Sequence, residues 1–145
     1  MPTNTTEAAL EAAIETKLTG TCLENLRTAG NLAEHLSFYR AGNGYYIGSA
    51  NEFNAKYAID EVRFWHFLET TQKEELAKLR KQNDWKLKIL ERLDRMIKKY
   101  GILRLFRKGL DVDDAHFTLL YPLPLASSSE TVKANFENNQ FSSTR

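Results

Sequence analysis

The chain has 145 residues, of which 42% are hydrophobic and 27% charged, and its net charge is +1. This is the composition of an ordinary soluble globular domain, or part of one, with enough apolar residues for a core. It excludes a membrane span, because no run of about 18 apolar residues occurs, and the single cysteine, Cys22, excludes an internal disulfide.

The charge is unevenly spread. Residues 78–108 carry 12 Lys/Arg against 3 Asp/Glu, whereas residues 1–77 carry 6 against 11 and residues 109–145 carry 2 against 5. A basic block between acidic flanks has two explanations. It faces a polyanion, or it is a solvated surface whose cations meet the flanking acids. The opening MPTNTTEAAL lacks a basic start and an apolar stretch, so no secretory signal is read and a cytoplasmic location is expected.

In chain order, Thr6 is placed to cap a first helix over 7–19, with Glu7 and Glu11 in its early turns, where the helix dipole favours acids. Leu10, Ile14 and Leu18 recur at helical spacing, and Gly20 is a stop. Residues 21–42 read as a second helix, interrupted at Gly30. AGNGYYIGSANEFN (41–54) has the glycines and asparagines of a loop, pinned by Tyr45, Tyr46 and Phe53. Asp60 opens a short helix with Val62, Trp65 and Leu68 on one side, and His66 among aromatics reads as a packed histidine. Thr71 to Glu74 fits a capping box, starting a helix that runs to about Lys81. Asn83 or Asp84 caps a longer one to Tyr100, ended by Gly101, with Trp85, Ile89, Leu93, Met96, Ile97 and Tyr100 as its apolar stripe. On another face Lys88, Arg92, Arg95 and Lys99 fall at spacings of 4, 3 and 4, which makes a basic stripe.

The pattern then changes period. ILRLFRKG (102–109) and HFTLLYP (116–122) read as two strands joined by the acidic turn LDVDDA, closed by Pro122 and Pro124. A last helix begins near Ser128 or Ser129. Asp111, Asp113 and Asp114 lack the glycine and terminal glutamate of a calcium loop and read as turn residues. Two acid-x-Lys matches, Glu15-Thr16-Lys17 and Asp84-Trp85-Lys86, resemble half of a metal-dependent nuclease site. That site needs a strand, where i and i+2 share a face, and both matches lie in helical patterns. Spacing alone therefore gives no complete active site. The basic cluster Lys88, Arg92, Arg95, Lys99, Arg104, Arg107 and Lys108 is the candidate DNA-binding set.

Several segments together resemble the N-terminal region of the restriction (motor-nuclease) subunit of type I restriction-modification systems. They are TEAALEAAIETKL (6–18), GYYIGSANEFNAKYAID (44–60), FWHFLETTQKEELAKL (64–79), ILERLDRMIKKYGILRLFRKG (89–109), FTLLYPLP (117–124) and ENNQFSSTR (137–145). The most specific are Phe67-Leu68-Glu69-Thr70-Thr71-Gln72, the Gly101-to-Gly109 element and the terminal N-x-F-x-x-T-R. Residues 20–42 are longer than the family's spacing and read as a subfamily insertion.

The resemblance implies an α+β fold, mostly helical with a β-hairpin. It would be a single incomplete domain over 1–145, the N-terminal part of a restriction-endonuclease-like (PD-(D/E)XK) domain, ending before the catalytic strands. It implies a parent that cleaves DNA with Mg²⁺ and translocates with ATP, neither cofactor being held by these residues. The implied partners are double-stranded DNA and the modification and specificity subunits. A glutamate on the opening helix often assists in this nuclease class, which marks Glu7 and Glu11 as auxiliary catalytic candidates.

Overall fold

The computed structural model describes residues 6–22, 24–25 and 44–145. They form a mixed α+β protein that sorts into two compact units, one from Met1–Phe64 with Gln140–Arg145 and one from Trp65–Asn139. The helix expected over 21–42, and the insertion read there, fall almost wholly outside the described residues.

In the first unit, α1 (Glu7–Thr19) begins where Thr6 Oγ1 accepts the Ala9 N–H at 3.3 Å, and ends at Gly20 in the left-handed conformation. Both caps are the expected ones. The buried face is not. Leu10 and Ile14 stand exposed, and the helix instead buries Glu15 and Thr19, with Cys22 just beyond. The Thr19 hydroxyl donates to the Glu15 carbonyl at 2.8 Å, so the helix supplies its own partner for a buried polar side chain.

The glycine-rich segment expected as a loop (41–54) contains β1 (Tyr45–Ile47) and β2 (Phe53–Asn54), and β3 (Ile59–Asp60) follows it. β1 pairs in parallel with β6 (Phe141–Ser143), Tyr45 opposite Phe141 and Ile47 opposite Ser143. The Gly48 N–H continues this ladder to the Ser143 carbonyl at 2.8 Å. A Cβ on Gly48 would overlap the Thr144 hydroxyl, so any larger residue there would have to displace that side chain. β2 and β3 form a short antiparallel pair, and α1 packs on β1 and β6.

α2 (Glu61–Thr71) crosses the boundary between the units. Its first turn carries Arg63, only 4% exposed. The Arg63 guanidinium donates to Asp60 at 2.7 Å, Glu52 at 3.4 Å and the Ile47 carbonyl at 3.0 Å, and lies 4.9 Å from the centre of the Tyr46 ring.

The second unit buries Trp65, Phe67 and Leu68 of α2, while Val62 and His66 are exposed. The expected packed histidine is therefore on the solvent side. The expected capping box is absent too. Thr71 Oγ1 donates back to the Phe67 carbonyl at 2.7 Å, and α3 (Lys73–Leu79) starts after Gln72, whose side chain makes no cap. Gln72 is used elsewhere: its amide accepts the Thr118 N–H at 2.6 Å and donates to the Thr118 carbonyl at 2.8 Å. Asn139 does the same to Tyr121, at 3.0 and 2.8 Å. Two carboxamides thus pair with backbone that belongs to no strand, meeting the demand of its main-chain polar groups for partners.

α4 (Trp85–Tyr100) matches the expected helix and buries Ile89, Leu90 and Leu93. The strand expected over 102–109 is a helix, α5 (Ile102–Lys108), between Gly101 and Gly109. Its leucines, arginines and lysine are good helix formers, and so short an apolar run carries no decisive period. The hairpin exists but lies downstream: β4 (Leu110–Val112) pairs with β5 (Ala115–Phe117) across Asp113-Asp114. Leu110, Val112, Ala115 and Phe117 point inward, and Asp111 and His116 outward. α6 (Glu130–Glu137) begins at Ser129, whose hydroxyl accepts the Val132 N–H at 3.3 Å. No helix among the described residues is long and apolar enough to cross a membrane.

Candidate nucleic-acid interface

α4 is amphipathic: its leucine and isoleucine side enters the core, which leaves Lys88, Arg92, Arg95 and Lys99 outside. The acidic turn of the β4–β5 hairpin engages the first half of this stripe. Lys88 forms an ion pair with Asp113 and also donates to Gln82 at 2.9 Å, and Gln82 in turn donates to Asp113 at 3.0 Å. The hydrogen bond from Lys88, then that from Gln82, holds the Asp113 carboxyl below its ordinary value. Arg92 Nε donates to the Asp111 carbonyl at 3.2 Å. The Asp111 carboxylate lies 2.6 Å from His116 Nδ1, the two residues facing each other in the hairpin register.

The second half of the stripe lacks such partners. Among the described residues, Arg95, Lys99, Arg104, Arg107 and Lys108 form no ion pair. Lys99 and Arg104 meet the Tyr100 ring instead, at 5.0 and 4.1 Å from its centre, and the neighbouring Lys99 draws the phenol below its ordinary value. Arg92 and Asp111 line two adjoining hollows, of ≈ 290 Å³ toward Lys88 and Arg95 and ≈ 240 Å³ toward Tyr100, Arg104 and Lys108. The charge pattern poses polyanion surface against self-neutralised surface. The fold divides the stripe between them, with Lys88 and Arg92 tied to the hairpin and the remaining cations turned outward.

The opening-helix carboxylates separate just as clearly. Glu7 lies exposed in the first turn of α1, and Glu11 is exposed with its carboxylate 3.5 Å from Arg145 Nε. The acid the fold encloses is Glu15, 1% exposed, with Arg145 Nη1 at 3.3 Å. The same nitrogen reaches Glu24 at 2.9 Å and holds that carboxyl down at about 2. Glu24 and Glu15, in that order, raise the Arg145 guanidinium in return. Glu7, Glu11 and Glu15 are spaced four apart on one helix, so periodicity alone does not choose among them. Arg145 meets both Glu11 and Glu15, and only burial singles out Glu15.

No family model, curated protein or solved structure matches the chain.

No group of three or more His, Cys, Asp or Glu side chains comes together among the described residues. Glu15 is buried while Lys17 is exposed, and Asp84 sits in the left-handed turn before α4. Neither acid-x-Lys match presents both groups on one strand face, so neither can seat a metal beside a lysine. What the arrangement can do is neutralise phosphates, through exposed guanidinium and ammonium groups along α4 and α5.

Proposed function

We propose that this chain is the N-terminal part of the restriction-endonuclease-like domain of a type I restriction subunit, the DNA-cleaving and ATP-translocating component of a restriction-modification system. One observation carries the reading. Within each compact unit, segments that resemble that family are bonded to one another. Gln72 of FLETTQ clamps Thr118 of FTLLYPLP, and GYYIGS pairs in parallel with QFSSTR. Arg145 of the closing T-R reaches Glu15 of the opening helix.

On this reading the chain supplies framework, and Glu15 rather than Glu7 or Glu11 is the enclosed acid held against the closing T-R segment. The Mg²⁺ ligands and the ATP motifs belong to sequence following Arg145, and the modification and specificity subunits are partners of the whole protein. Reading the parent gene past Arg145 tests it. An Asp followed by Glu-x-Lys within the next strands, and helicase motifs further on, are the expected result; their absence sinks the proposal.

The outward half of the basic stripe favours a second reading, compatible with the first: a DNA-binding surface, or a subunit-binding one, that works without catalysis. Reversing Arg95, Lys99, Arg107 and Lys108 to Glu is expected to abolish low-salt retention of duplex DNA in a gel shift. Neutralising the same four to Gln should flatten the slope of log affinity against log salt by about 3 to 4 units, at roughly 0.9 per phosphate contact. Lys88→Gln should change that slope much less, because Lys88 is already paired with Asp113. An unchanged slope in the four-Gln variant would reject the surface.

A further inference from the structure

α5 buries Leu105 and leaves Leu103 66% and Phe106 39% exposed. The chain that follows β5 is held at Thr118 by Gln72 and at Tyr121 by Asn139. Beyond those clamps it presents Leu123 and Leu125, 77% and 74% exposed. An open groove of ≈ 550 Å³ has Leu103, Phe106, Leu120 and Pro122 as its apolar lining, and Arg107 and Lys108 also border it. Among the described residues no carboxylate lines it.

We propose that this groove docks an acidic, apolar segment of a partner protein, whose leucine or phenylalanine side chains fill it while its carboxylates meet Arg107 and Lys108. Three features select that occupant. Contiguous exposed aliphatic side chains rimmed by charge mark protein contacts on a folded surface. The cations at the rim are unopposed by any acid of the lining, so complementarity calls for negative charge. A second copy of the same face would set Arg107 and Lys108 against themselves, and a phosphate backbone would be desolvated against leucine and proline. Pro122 and Pro124 withhold two main-chain donors, so the side-chain groove, and not growth of a sheet edge, is the docking element.

The groove stands whether or not the parent is a nuclease. The test uses the 145-residue chain and fluorescein-labelled peptides of repeating Glu-Leu-Glu-Phe, with repeating Lys-Leu-Lys-Phe as the counterpart. Saturable binding of the acidic peptide by anisotropy is expected, and little binding of the basic one. Leu103→Asp and Lys108→Glu should each weaken it about tenfold or more, as truncation of an interface anchor does. Both side chains are exposed, so unchanged circular dichroism will show that the fold survives. No saturable binding, equal binding of both peptides, or indifference to Leu103→Asp overturns the proposal. So does a dimer in sedimentation that Leu103→Asp dissociates, which would make a second copy the occupant. Duplex DNA that displaces the peptide and itself needs Leu103 would equally overturn it, assigning the groove to nucleic acid.

Discussion

Gly109→Ala is expected to destabilise the Trp65–Asn139 unit by about 2–6 kcal/mol, combining backbone strain of roughly 1–3 with overpacking of roughly 1–3. Gly109 has φ 77° and ψ −171°, a region that essentially only glycine occupies, and its N–H closes α5 on the Leu105 carbonyl at 2.8 Å. A Cβ there would stand 2.5 Å from the Phe117 carbonyl oxygen and 2.8 Å from the His116 ring. The exposed ring can swing away. The carbonyl cannot, because Phe117 is fully buried and paired with Leu110 in the hairpin.

Gly101 provides the control. It has φ 81° and ψ 158°, yet nothing lies within 4 Å of its notional Cβ. Gly101→Ala should therefore cost only the strain, about 1–3 kcal/mol. Both tryptophans of the chain, Trp65 and Trp85, sit in this unit with ring centres 5.5 Å apart, so tryptophan fluorescence in urea reports its unfolding. Equal midpoints for the two variants would remove the crowding argument.

These two glycines also separate what is legible in the sequence from what is not. Gly101 reads as a boundary, and so do the caps at Thr6, Gly20 and Ser129, because a cap is a local bargain between one side chain and the next turn; Gly109 reads only as the last residue of a strand. The segment between the glycines reads as a strand and folds as a helix. ILRLFRK satisfies the two patterns equally well over seven residues, and only its placement of Leu105 into the core decides. The expected turn over 110–115 narrows to Asp113-Asp114, because Leu110–Val112 and Ala115 are strand, and the hairpin is shorter than expected.

Long-range pairings leave fainter traces. Gln72 reads as an interior residue of a capping box from Thr71 to Glu74 and instead serves the backbone 46 positions on. Glu15 reads as a chance acid-x-Lys match because a helix separates it from Lys17. That separation is real, and it says nothing about Arg145. The basic stripe is plain from its spacing. Its division into paired and outward cations is not, since that depends on how the hairpin folds back onto α4.

Arg63→Leu is expected to have an effect of similar size on the other unit, a loss of about 3–5 kcal/mol, as for breaking a buried ion pair by removing one partner. The side chain is 5% exposed and its two carboxylate partners, Asp60 and Glu52, are 12% and 17% exposed. Leucine would fill part of the space but leave both acids facing a low-dielectric interior, and the Ile47 carbonyl without the donor now at 3.0 Å. Arg63→Lys should recover only part of the loss. An ammonium keeps the charge, but it lacks the planar fork that reaches Asp60 and the Ile47 carbonyl through separate nitrogens while lying over Tyr46.

Because Ile47 is the inner residue of β1 and is paired with Ser143 of β6, faster amide hydrogen exchange in β1 and β6 should accompany the loss. A double variant, Arg63→Leu with Asp60→Asn, should be more stable than Arg63→Leu alone, since one unpaired charge is removed with its shape preserved. If Asp60→Asn gives no relief, the cost of Arg63→Leu lies in packing against Tyr46 and not in stranded charge.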